Sequence, residues 1–221
     1  GAANTAVGRD ALTVNTTGSN STAVGVAALE QNNGAGNTAV GKDALKNNTT
    51  ATANVAVGKS AAAATTTGSY NNAFGMNALA ANTTAEENTA MGNDAMLDNT
   101  TGANNVAIGS SALANNTTAS FNVALGRHAL LLNTTGTQNV AVGSQALDAN
   151  TTANENTAVG HDALGANTTG ANNVAVGAKA LDANTTADNN TAIGGDAMGT
   201  NTTGASNTAV GRTALFSNTT A

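Results

Sequence analysis

Asn4-Thr5-Ala6-Val7-Gly8, then Ala11-Leu12, then Asn15-Thr16-Thr17: this phrase returns along the whole chain and closes it as Asn207-Thr208-Ala209-Val210-Gly211, Ala214-Leu215 and Asn218-Thr219-Thr220. The glycine ending its first block recurs thirteen times, from Gly8 to Gly211, at steps of 17 residues with one step of 16 between Gly25 and Gly41. A short fixed period means like units stacked on one another, each unable to bury its own apolar face alone. The spacing predicts an all-β fold, a parallel β-solenoid or β-roll of thirteen rungs of about 17 residues, running as a single repeat array over 1–221. At an inter-strand spacing of about 4.8 Å, thirteen rungs make a rod about 60 Å long.

Positions within the unit sort by the variation they accept. Three never change: the Ala of the first block, its Gly, and the Ala three residues later, as in Ala6, Gly8 and Ala11. Two others are apolar: the residue before Gly (Val7, Phe74, Met91, Ile108, Leu125) and the one after the second Ala (Leu12, Met96, Leu215), with Ala62 the small exception. Side chains alternate along a strand, so Thr5 and Val7 share one face and Ala6 takes the other. Stretches such as Val55 to Val57 and Val140 to Val142 are strongly β-prone. A helix is disfavoured, because each Gly and each Asn-Thr-Thr would interrupt a 3.6-residue pattern.

The expected core is the pair of variable apolar columns, represented by Val7, Leu12, Val57, Ile108, Leu113, Val142, Leu147, Val176 and Leu181. The invariant Ala columns are then flat outer surfaces suited to lateral packing, and a homo-oligomer is expected. The invariant Gly8, Gly58, Gly109, Gly143 and Gly177 are expected at a corner whose conformation or close approach excludes a Cβ. After Asn-Thr-Thr, by contrast, the corner alternates Gly102, Ala119, Gly136, Ala153, Gly170, Ala187, Gly204, Ala221, so positive φ is not expected there. That alternation gives a super-period of 34 residues, with acids following the Ala type (Glu86 and Glu87, Glu155, Asp188).

Composition separates this chain from an ordinary globule. Aromatic residues are 2%, charged residues 9%, and Pro, Cys and Trp are absent. Disordered chains are rich in charge and Pro, and here both are scarce, while the apolar residues keep strict phase. The net charge of −6 is thinly spread and forms no basic stripe, which argues against nucleic acid as a partner. No apolar run approaches the ~18 residues of a membrane span, so no membrane contact is expected in this segment. Without Cys there is no disulfide framework. The chain starts and stops within the repeat, as a segment of something longer would.

The units Asn54-Val55-Ala56-Val57-Gly58, Asn105-Val106-Ala107-Ile108-Gly109 and Asn173-Val174-Ala175-Val176-Gly177 resemble the head repeats of trimeric autotransporter adhesins, and the related repeats of phage and bacterial tail-fibre proteins. The resemblance covers essentially the whole chain. It implies a left-handed roll, three chains side by side, Val and Ile pointing into the roll, extracellular display, and a host-surface or matrix ligand. The 17-residue unit is longer than the usual adhesin head repeat, and the added Asn-Thr-Thr is more like the tail-fibre variety.

Asn-Thr-Thr occurs eleven times, and Asn82, Asn99, Asn116, Asn133, Asn150, Asn167, Asn184 and Asn201 stand for the column. Three readings stay open: a polar ladder of stacked amides, an ice- or carbohydrate-binding face of evenly spaced hydroxyls, or N-glycan acceptors, since every copy is Asn-x-Thr. A buried ladder and a glycosylated Asn exclude each other at one site. Asp10, Asp43, Asp94, Asp162 and Asp196 share a position two residues after Gly, but Ala27, Ser60, His128 and Lys179 interrupt it, so solvated surface is expected rather than a calcium site. His128 and His161 lie at different unit positions without Cys or a second His at ligand spacing. No catalytic residue, metal site or cofactor is expected; the function expected is that of a structural or adhesive extracellular fibre.

Overall fold

A computed structural model describes residues 1–219; Thr220 of the last Asn-Thr-Thr and the corner residue Ala221 lie outside the described residues. The protein is a parallel β-solenoid of thirteen three-residue strands, with no helix among the described residues. Two compact units divide it, Gly1–Ser110 and Ser111–Ala221.

In the first unit, β1 (Thr5–Val7), β2 (Thr22–Val24), β3 (Thr38–Val40), β4 (Val55–Val57), β5 (Asn72–Phe74), β6 (Thr89–Met91) and β7 (Val106–Ile108) pair in parallel, in chain order. In the second, β8 (Val123–Leu125), β9 (Val140–Val142), β10 (Thr157–Val159), β11 (Val174–Val176), β12 (Thr191–Ile193) and β13 (Thr208–Val210) do the same. Register sets like over like: Ala39 lies on Ala56, and Ala141 on Ala158.

The strands are only part of the ladder, as the coil 139–155 illustrates. Val140 N–H reaches Asn156 O at 2.8 Å, Gly143 N–H reaches Leu125 O at 2.8 Å, and Gln145 N–H reaches Arg127 O at 3.0 Å. Leu147, Ala149, Thr151 and Glu155 continue around the coil with N–H bonds of 3.1 to 3.2 Å to the coils on either side. Backbone groups outside the strands are thereby paired as well, which a buried turn requires.

Four residues of this coil have positive φ: Gly143 (140°), Gln145 (61°), Leu147 (52°) and Glu155 (58°). Ala146 N–H closes a turn on Gly143 O at 3.4 Å, and positive φ at Gln145 is what a type II turn demands of its third residue. Asn, Asp and His tolerate that region best, which accounts for Asp10, Asp43, Asp94, His128, Asp162 and Asp196 at this position. Leu147 is the unexpected case. A left-handed Leu costs roughly 1–2 kcal/mol, and the same conformation recurs at Leu29, Leu113 and Leu181. Each of these side chains is fully buried, so the strained backbone turns the one large apolar group of the coil inward.

The single 16-residue step is absorbed by a side chain. Asn33 stands where other units have Thr-Thr, and its Oδ1 accepts Thr16 N–H at 2.8 Å and Thr16 Oγ1 at 2.9 Å. Elsewhere a threonine carbonyl does this work, as where Thr49 Oγ1 donates to Thr66 O at 2.9 Å.

The inside of the coil differs from the sequence expectation. The middle Ala of the strands is the inward residue: Ala23, Ala56, Ala107, Ala141 and Ala175 are at 0% exposure, as are Ala44, Ala112 and Ala146 of the second Ala column. Val7 (57% exposed) and Ile108 (41%) face out, and Val57, Val142 and Val176 are half-buried on the same outer side. These five are therefore not core residues. The expectation of Ala columns as outer lateral surfaces is overturned with them. The reason is space: a three-residue strand in so short a coil turns one side chain inward, only Ala fits there, and alternation sends both neighbours outward. Leu113, Leu147 and Leu181 are fully buried, and Leu12 half-buried.

Candidate functional site

Gly8, Gly58, Gly109, Gly143 and Gly177 have φ of 129°, 139°, 137°, 140° and 132°, a region that L side chains rarely adopt. A Cβ built on Gly143 would also lie 2.4 Å from Gly160 O of the next coil. Conformation and close approach act together. The alternating corner is different: Gly136 and Gly170 have no positive φ, as the Gly/Ala alternation anticipates.

Behind that corner stand two columns of buried amides. Asn82 and Asn99 in the first unit, and Asn116, Asn133, Asn150, Asn167, Asn184 and Asn201 in the second, are all at 0% exposure. Asn133 Nδ2 donates to Gly136 O at 2.9 Å and to Asn116 Oδ1 at 3.1 Å, and Asn150 Nδ2 donates to Asn133 Oδ1 at 2.8 Å. Where Thr65 replaces Asn, Asn82 Nδ2 reaches its Oγ1 at 3.4 Å. A glycan has no room on these nitrogens, so the N-glycan reading of the buried copies is set aside.

The second column escaped the sequence reading. It comprises the Asn that opens a unit, including Asn37, Asn54, Asn88, Asn139 and Asn173, all at 0–1% exposure. Asn54 N–H donates to Asn37 Oδ1 at 3.0 Å, and Asn139 N–H to Asn122 Oδ1 at 2.9 Å. Both columns converge on one carbonyl: Ala153 O accepts Asn139 Nδ2 at 2.8 Å and Asn150 Nδ2 at 3.2 Å. The signal was present in the sequence, since Asn opens every unit but the one starting at Ser21.

Two outer faces are uncharged. One is the strand face, carrying Thr, Val, Ile, Leu, Met, Phe and one Asn, without a charged residue at any outward strand position. In the first unit its largest groups are Phe74, Met91 and Ile108 on successive coils. The other is the Asn-Thr-Thr corner. Its first Thr is committed to structure, as Thr134 Oγ1 donates to Thr151 O at 3.0 Å and Thr168 Oγ1 to Thr185 O at 3.1 Å. Its second Thr (Thr118, Thr135, Thr152, Thr169, Thr186) is exposed.

Charge gathers instead on the turn after Gly, where Lys42 pairs with Asp43 at 3.7 Å and Lys46 with Glu30 at 3.8 Å. Burial, followed by the neighbouring Asp162 carboxylate, pushes the Asp148 carboxyl above its ordinary value. Asp182 is raised mainly by burial, with Lys179 opposing the shift and Asp196 and Asp162 adding to it. Among the described residues no group of three His, Cys, Asp or Glu side chains could hold a metal ion, and no pocket opens. No helix there is long and apolar enough to cross a membrane. Comparison with models of known protein families, and with curated proteins, finds no match to this chain.

Proposed function

We propose that this β-solenoid is a non-catalytic structural segment of an extracellular fibre, built to hold an adhesive or receptor-binding part at a distance. The observation that carries this reading is the continuity of coil-to-coil bonding. Strand, turn and corner each contribute amides that bond to neighbouring coils, and two columns of buried side-chain amides run beside them. Pulling coils apart along the axis must break many such bonds at once, each contributing about 0.5–1.5 kcal/mol net.

The uncharged strand face supports side-by-side association with like chains, with three as the number the adhesin resemblance implies. Contiguous exposed apolar surface of this kind marks an interaction site. A host-surface or matrix ligand is proposed for the finished fibre. Light scattering on the purified chain tests this: three chains per particle are expected. Val142→Lys with Val176→Lys should lower that number without altering the circular dichroism. A chain that stays monomeric at every accessible concentration overturns the side-by-side fibre.

A further inference from the structure

The sequence contains fifteen Asn-x-Ser/Thr triplets, of which eleven begin Asn-Thr-Thr. Nine of those eleven, from Asn48 to Asn201, have a fully buried Asn. Asn15 is half-buried with its Nδ2 donating to Gly18 O at 3.0 Å, and the Asn218 triplet ends on Thr220, outside the described residues. Four triplets lie off the column: Asn20-Ser21-Thr22, Asn47-Asn48-Thr49, Asn115-Asn116-Thr117 and Asn189-Asn190-Thr191.

Sugar transfer to asparagine needs a reachable carboxamide nitrogen and a hydroxyl two residues on, presented on the same side of the chain. Asn20 and Asn189 meet both needs. Each is exposed, sits at the last place of its coil with φ of 57° and 60°, and precedes a strand whose first residue is the hydroxyl partner, Thr22 or Thr191. The residue between points inward, Ser21 at 1% and Asn190 at 0% exposure, so Asn and Thr both turn outward. Neither carboxamide nor either threonine hydroxyl makes a side-chain hydrogen bond among the described residues. The other two triplets are less suited. Thr49 Oγ1 is spent on Thr66 O at 2.9 Å, Thr117 Oγ1 on Thr134 O at 3.2 Å, and Asn115 is half-buried.

We propose that Asn20 and Asn189 are acceptor sites for a sugar from a nucleotide-activated donor, and that the buried Asn columns are not. In the transfer, Asn Nδ2 forms a bond to the anomeric carbon as the bond from that carbon to the nucleoside diphosphate breaks. The amide proton passes to a base on the transferase and the nucleoside diphosphate leaves. Glycans on successive coils about 4.8 Å apart would crowd one another, and Asn20 and Asn189 lie 169 residues apart in the sequence, on coils that are not neighbours. Thr22 and Thr191 stand at outward strand positions, on the face proposed for side-by-side association, so the transfer is assigned to the single folded chain before that face is covered.

The fold supplies its own controls. Asn104 and Asn172 occupy the same exposed, left-handed place (both φ 58°), but Val106 and Val174 follow where Thr would be. The test incubates the folded chain, at a concentration where light scattering finds single chains, with UDP-glucose and a soluble transferase specific for Asn-x-Ser/Thr, followed by peptide mass mapping. A hexose is expected on Asn20 and Asn189, and none on Asn104, Asn172 or Asn133. Thr191→Val should abolish the Asn189 product and Val174→Thr should create one at Asn172; Thr and Val both occur at this strand position, so both variants keep the fold. A denatured, trypsin-digested sample confirms that the transferase accepts these triplets as peptides. If those peptides take sugar while folded Asn20 and Asn189 do not, or if Asn133 is modified in the folded chain, the proposal is wrong.

Discussion

Exchanging volume across one strand separates the inside from the outside of the coil. Ala141 is fully buried and lies in register between Ala124 and Ala158, whereas Val142 beside it is half-exposed. Ala141→Val forces two extra carbons into a filled interior, and such overpacking costs about 1–3 kcal/mol. Val142→Ala removes two carbons from a half-wetted position; at about 0.8 kcal/mol per fully buried CH2, the loss is about 1 kcal/mol or less. Gly143 N–H, bonded to Leu125 O, and Gly160 N–H, bonded to Val142 O, both at 2.8 Å, report on the opening of this strand. Their hydrogen exchange, read with urea midpoints at concentrations where light scattering finds single chains, ranks the variants. Each 1.4 kcal/mol is about tenfold in an opening equilibrium, so Ala141→Val should speed exchange by up to about a hundredfold and Val142→Ala by less than about tenfold. If Val142→Ala proves the more damaging of the two, the assignment of Ala as the inward residue is refuted.

Three further outcomes follow from the interior and its charges. Ala62 shares the left-handed conformation (φ 50°) of Leu45 and Leu79 on adjacent coils, so Ala62→Leu should raise the urea midpoint by about 1–2 kcal/mol of stability, the value of the added buried carbons; an unchanged or lower midpoint means the neighbouring coils have closed over the site. Asn133→Leu strips Gly136 O and Asn116 Oδ1 of a donor and Asn150 Nδ2 of an acceptor, and should cost at least about 2 kcal/mol, while Thr135→Val on the exposed corner should be nearly neutral. Asp148 has a folded pKa above the unfolded 3.8, so between those values the folded chain binds more protons and its stability falls as pH rises. Asp148→Asn should accordingly be more stable than the unsubstituted chain at pH 7, with the difference gone below pH 3.8; thermal melts across pH that show a constant difference would contradict this.

The strand, its parallel stacking and the glycine corner could be read from residues alone, because a 17-residue period with Val-Ala-Val and an invariant Gly leaves few ways to stack. The inward face could not be read by hydrophobicity, because the coil is too narrow for it to decide. Val, Phe, Met, Ile and Leu before Gly share apolarity but differ widely in volume, and an interior position does not tolerate such a range. Ala6 and Ala11 and their copies never vary, and in a packed interior that constancy is steric. The same logic exposes the Asn that opens each unit as buried: it is nearly as constant as the Ala, while the residue before it ranges from Gly36 to Tyr70 and Phe121. The left-handed Leu had no local signal, since Leu has no preference for positive φ; it is imposed by the stack.

Reliance on small and polar groups inside the coil has a consequence for specificity. A core of Leu and Ala alone would tolerate sliding one coil on another, since apolar contact is non-directional. Amide columns do not: Asn139 must meet both Ala153 O in its own coil and the amide oxygen of Asn122 in the adjacent one. A coil shifted by one residue leaves both groups buried and unpaired, a penalty of about 1–3 kcal/mol for each. With so little large apolar side chain per coil, the hydrogen-bonding columns fix the register and the Leu column supplies burial. The short coil supports this division of labour: one residue is missing, yet Asn33 Oδ1 takes over the threonine carbonyl's place and Asn32 remains in the buried column at 0% exposure. The same short coil keeps Leu29 fully buried although Ser21 stands for the opening Asn, so the lost residue is taken from the corner and both the amide column of Asn32 and the Leu column pass through it intact.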